Sequence, residues 1–150
     1  MPAMTPDGVE LNPANSEAFL ARYQHFFDGL IRAVRLDFVP QQGVQPIGEP
    51  HRVIVECSVI DTQLGEPENW VNLVLNIHAA SAIRLVRSNQ TWIVLSQGLS
   101  IGFFDRTIYL AFDEQVRTRD EFLQADFLVT GERCIWSTLP YDDLPGSSRR

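Results

Sequence analysis

The chain has 150 residues, enough for one domain. Hydrophobic residues make up 45% and charged residues 21%, proportions that exclude general disorder, collagen and a disulfide-dense scaffold. Nineteen acidic residues against twelve basic ones give a net charge of −7. That balance repels phosphate backbones and argues against nucleic acid as a partner, while leaving room for a basic protein partner.

All the basic residues are Arg, and the chain has no Lys. A P-loop and a Schiff-base lysine are thereby excluded. No apolar run reaches the roughly 18–20 residues of a membrane span. The start, Met1 to Gly8, lacks the basic and apolar regions of a secretory signal, so the expected compartment is the cytoplasm.

Residues 1–11 are polar and rich in Pro and Gly, and are expected to form a flexible tail. Asn12-Pro13 then supplies a helix start, with Asn as cap and Pro at the first helical position. Phe19, Tyr23, Phe26 and Phe27 recur at helical spacing, which predicts an amphipathic helix over 13–26 with an aromatic core face.

From Asp28-Gly29 onward the period changes to two. Val34, Leu36 and Phe38 alternate with charged residues. A loop spans 40–50, and Val53, Val55, Cys57 and Val59 give the next strand. After a turn-rich stretch, Val71 to Ile77 and Ile83 to Leu85 alternate again. Trp92 to Leu95, Ile108 to Phe112 and Leu123 to Val129 follow, with Thr130-Gly131-Glu132 as a hairpin turn before Cys134 and Trp136.

The expected fold is therefore α+β and mostly β. One N-terminal helix precedes about eight antiparallel strands in a meander, curled into a sandwich or open barrel. The domain is expected over 12–140, with a polar tail over 141–150.

Candidate chemistry is sparse. Gly98-Leu99-Ser100-Ile101-Gly102 fits the G-x-S-x-G pattern, but strand-like sequence follows it where a nucleophile elbow needs a helix. No His follows His78 either, so a Gly-flanked turn or bulge is the preferred reading. His25, His51 and His78 are not paired at ligand spacing, Cys57 and Cys134 form no CxxC, and neither a metal nor a cofactor is expected. The two cysteines sit in apolar strand patterns and are expected to be buried and reduced.

His25 and Asp28 near the helix end, with Asp105 and Arg106 in a turn, are the first suspects for a small-molecule pocket. Trp70, Tyr109 and Phe122 fall opposite the strongest apolar rows, and an uncovered sheet face would make them interface anchors.

The segment Phe26-Phe27-Asp28-Gly29-Leu30-Ile31 resembles the opening of a group of small uncharacterised bacterial proteins. These begin with Phe-x-Asp-(Gly/Ala) and continue as antiparallel strands. Val94 to Leu99 and Phe104 to Leu110 add to the likeness, which covers roughly residues 26–137. Some members are similar to immunity proteins of polymorphic toxin systems. The resemblance implies a non-catalytic protein that binds, and can mask, a partner. His is common in that group where this chain has Phe27, a departure that weakens any metal or catalytic carry-over.

Two functional expectations follow. One is a protein-binding module, with a partner chain or a second copy. The alternative is a small-molecule binder or modest enzyme with a pocket at the sheet mouth.

Overall fold

A computed structural model of the protein describes residues 8–38, 52–65, 69–86 and 94–139. The expected loop over 40–50, His51, Trp92 and the tail over 141–150 lie outside them.

The fold is mostly β, as its alternating sequence requires. Eight antiparallel strands form one nearly closed, barrel-like sheet. In chain order they are β1 (Val9–Glu10), β2 (Gly29–Asp37), β3 (Arg52–Ile60), β4 (Trp70–Leu85), β5 (Val94–Leu95), β6 (Leu99–Phe104), β7 (Thr107–Phe112) and β8 (Phe127–Leu139). Among the described residues two short helices, α1 (Ser16–Arg22) and α2 (Arg119–Leu123), accompany the sheet.

The spatial order is β5-β2-β3-β4-β8-β7-β6, with β1 on β8. Two three-stranded meanders, β2-β3-β4 and β6-β7-β8, are thus joined through the long β4–β8 pairing. The end strands β5 and β6 are neighbours in sequence. The Leu95 carbonyl accepts from the amides of Asp28 (3.0 Å) and Gly98 (3.1 Å), and the Gly98 carbonyl from that of Asp113 (2.7 Å). These bonds draw the two ends of the sheet together.

The period-two residues that face inward build the core: Val53, Val55, Cys57 and Val59 of β3, Leu73, Leu75 and Ile77 of β4, and Cys134 and Trp136 of β8. Helix α1 plugs the barrel with Phe19 and Tyr23, and Phe26 follows from the next turn. The Phe19 and Tyr23 rings lie 5.1 and 5.6 Å from Trp136. Arg22 closes the plug from outside through two bonds to buried Asp61, Nε–Oδ1 3.1 Å and Nη2–Oδ2 2.9 Å. Among the described residues no helix is long and apolar enough to cross a membrane.

Several local expectations are corrected. The stretch expected as an N-terminal tail contributes β1 and the core residue Leu11, because its backbone pairs with β8. The helix is shorter than 13–26. Asn12 folds back to accept from the amides of Ala14 and Asn15, so the helix starts at Ser16. It ends at Arg22, and a 3₁₀ turn with left-handed φ at Gln24, His25 and Phe26 follows. That turn swings Phe27 out of the aromatic stripe to the surface.

The expected hairpin at 130–132 is continuous strand, because β4 pairs with β8 along its whole length. β4 itself is one 16-residue strand, bent by a register shift between Ala80 and Ala82 rather than broken. The expected strand over 123–129 begins only at Phe127, and Leu123 is the last residue of α2. Thr118 and Glu121 form a reciprocal capping box at its start. Cys57 lies opposite Leu73 and Cys134 opposite Ile77, so β4 separates them. Two strand spacings, about 10 Å, exceed the reach of a disulfide, about 7 Å between Cα atoms.

Candidate functional site: an open strand edge beside a cleft

The site follows from where the sheet, among the described residues, stops short of closing. β6 pairs with β7 in continuous register from Leu99–Phe112 to Phe104–Thr107. Among the described residues it has no strand on its other side. Gly98 and Asp113 share a ladder bond at the start of this pair. The alternation of an antiparallel ladder then turns the backbone N–H and C=O of Leu99, Ile101 and Phe103 away from β7, toward the open side.

A cleft of about 710 Å³ lies along that side. Glu17 and Leu20 of α1, with His25 and Phe27, form one wall; Gln97 and the first half of β6 form its floor, and Gln115, Val116 and Arg117 the other wall. The walls are held by specific local bonds. Gly98 has φ +74°, and a Cβ there would lie 2.2 Å from the His25 carbonyl oxygen, so only glycine lets the β5–β6 turn seat against the 3₁₀ turn.

On the far wall, Asp113 Oδ1 accepts from the Gln97 amide (2.8 Å). Glu121 Oε1 accepts from the amides of Arg117 and Thr118, both at 2.9 Å. These bonds to its charged form hold the Glu121 carboxyl below the usual glutamate range, the Thr118 amide contributing most.

Ser100 is part of this scaffold. Its hydroxyl donates to the Glu114 carbonyl (2.7 Å) and accepts from the Val116 amide (3.1 Å). The residue sits within β6, not at a strand-to-helix turn, so the G-x-S-x-G match is no nucleophile elbow. The expected turn at 98–102 is corrected too: only Gly98 turns, and Leu99 onward is strand. Gly102 serves packing, since a Cβ there would meet the Phe104 and Phe122 rings at 2.6 and 2.7 Å.

The four suspected ligand residues do not converge. His25 lines the cleft. Asp28 is exposed in the left-handed region just before β2, its amide bound to the Leu95 carbonyl. Asp105 and Arg106 form the two-residue β6–β7 turn, with φ of 50° and 63°. Both positive values are what a primed hairpin turn demands. That turn lies at the opposite end of β6 from His25, about 20 Å away at strand rise.

The suspected interface aromatics also divide. Trp70 is exposed at the start of β4, but Tyr109 and Phe122 are buried, 6% and 1% accessible. Helix α2 covers the outer face of β6 and β7, with the Phe122 ring against Tyr109 and Phe104. The Tyr109 and Phe122 rings pack edge to face at 5.9 Å, with Phe104 against both. Sequence reasoning missed Glu17, Gln97, Arg117 and the β6 edge itself. One signal was present: Leu99 to Phe104 contains no charge and no Pro.

Among the described residues no group of three or more His, Cys, Asp or Glu side chains could hold a metal ion. Comparison with known proteins finds no matching family model, no matching curated protein and no matching solved structure.

Proposed function

We propose that this protein is a non-catalytic binding module of the cytoplasm, immunity-like or accessory, which takes an extended segment of a partner protein onto β6. The observation that carries this reading is the β6 edge, which no strand among the described residues covers.

Natural sheets blunt exposed edges with charge, proline, bulges or short length. The end strand β5 has two residues among those described. The open stretch of β2 is bulged between Ile31 and Ala33 and carries Arg32, Arg35 and Asp37. The far part of β4 is shifted in register and carries Arg84. β6 has six uncharged residues, no Pro and no register shift. An edge of that kind suits strand addition, in which backbone bonds give affinity and neighbouring pockets select side chains. The cleft supplies such a pocket, apolar at Leu20 and Val116 and polar at its rim. The resemblance of residues 26–137 to small bacterial β-rich proteins, some of them similar to immunity proteins, supports a role in covering a partner.

A second reading, a small-molecule binder, is favoured by the convergence of His25, Glu17 and Arg117 on one cleft.

One variant separates the two. Ile101→Pro removes an N–H that points to the open side, leaving the β6–β7 ladder intact. Affinity capture from source-organism lysate, read by native mass spectrometry, should recover a partner with the parent chain and lose it with Ile101→Pro. A partner held equally by both chains, or a small bound mass and no protein partner, would overturn strand capture. Amide exchange at Ile101 and Phe103, slowed in the captured complex, gives the same answer from the parent chain alone.

A further inference from the structure

We infer that in the free protein the β6 edge is covered by β6 of a second copy, in an antiparallel two-fold pair centred on Ile101. The inference rests on the strand-accepting reading of β6 and names the strand that occupies it when no other is bound.

The edge is self-complementary. A two-fold axis at Ile101 sets Leu99 opposite Phe103 of the second copy, Ile101 opposite Ile101, and Phe103 opposite Leu99. These are the residues whose backbone groups face the open side, so all three positions exchange ladder bonds. Their side chains form one apolar row, and Ile101 and Phe103 are only half-buried in the single chain. Pairing covers both. On the other face Ser100 meets Gly102, two small residues that bring no bulk to the new seam.

Electrostatics select the same place. Two copies at −7 repel each other at long range. β6 is a stretch without charge, and the cleft beside it carries Glu17 and Arg117, one of each sign. Two copies brought together there present both signs to each other rather than like against like. The open stretch of β2 offers no such match, since it is bulged between Ile31 and Ala33 and carries Arg32, Arg35 and Asp37.

The register makes the test specific. Residue 101 alone faces its own copy, with Cα atoms about 5.5 Å apart in a hydrogen-bonded antiparallel pair, within disulfide range. Mild oxidation of Ile101→Cys should therefore yield a covalent dimer in high yield, and Phe103→Cys should not. In sedimentation equilibrium the parent chain should be dimeric and Ile101→Pro monomeric, with unchanged circular dichroism. Protection of the Ile101 and Phe103 amides should rise with concentration, a readout that needs no variant.

A parent chain that is monomeric throughout, or a dimer that persists in Ile101→Pro, would overturn the inference. So would a disulfide forming equally at 101 and 103. A monomeric parent chain that still captures a partner in an Ile101→Pro-sensitive way overturns self-pairing and leaves strand capture standing. Failure of both overturns both.

Discussion

At the scale of single residues, the barrel plug shows how a buried polar atom is tolerated. Tyr23 is fully buried between Phe19 and Trp136, and its hydroxyl has no hydrogen-bond partner among the described residues. Burial pushes its phenol up to about 12, against a smaller downward pull from the Arg22 guanidinium, 5.0 Å from the ring. The neutral form is thus the one the fold favours. Its contribution is complete below the ordinary tyrosine pKa of about 10 and is lost as pH rises through about 12. Tyr23→Phe removes an unsatisfied hydroxyl and keeps the ring. It should leave stability unchanged or raise it by up to about 1 kcal/mol, measured by urea denaturation at neutral pH. It should also remove the late phase of the ultraviolet tyrosine titration. This aromatic face was legible in the sequence because Phe19, Tyr23 and Phe26 keep helical spacing. Its partner Asp61 was not: an Asp at a strand end looks like any turn residue until Arg22 is brought to it from 39 positions away.

At the scale of elements, strands with one buried face were legible and the irregular joints were not. Val53 to Val59 and Val71 to Ile77 alternate because their inner faces meet the plug. Helix α2 was hidden because Phe122 and Ala125 look apolar in either period, and the Thr118–Glu121 box decides the matter. That box is short-range and testable. Thr118→Ala should cost about 1 kcal/mol and loosen the cover over Tyr109 and Phe122, read as faster amide exchange at Phe122 and Ala125. Because the Glu121 carboxyl is held below its usual range, its help to the cap is complete above that range. It is lost as pH falls through the depressed value, so acidification of the parent chain should speed exchange at the same amides. The β6 edge escaped notice for a different reason. A strand's partners are long-range facts, and an absent partner leaves no mark on local period.

At the scale of the whole molecule, the two cysteines report on global opening. Cys57 and Cys134 lie on the inner face of the barrel, fully buried on different strands. Desolvation pushes both thiols well above the ordinary range, and so away from the reactive thiolate. Modification by a disulfide reagent should proceed only as fast as the barrel unfolds, with both thiols reacting together. Rapid reaction of one in the native state would contradict this packing.

The pairing that makes the barrel one body also sets when it can form. β4 meets β8 from Asn72–Leu139 to Leu85–Phe127. Chain loops of roughly 40–70 residues must close before those bonds form, which places folding among the slow, non-local cases. On the ribosome, β2-β3-β4 and then β6-β7 emerge as separate ribbons whose inner faces have no mate until residue 139 is clear of the exit tunnel. A stalled or truncated nascent chain ending before β8 therefore presents two sticky half-barrels, and it is this species, rather than the finished protein, that a chaperone would meet.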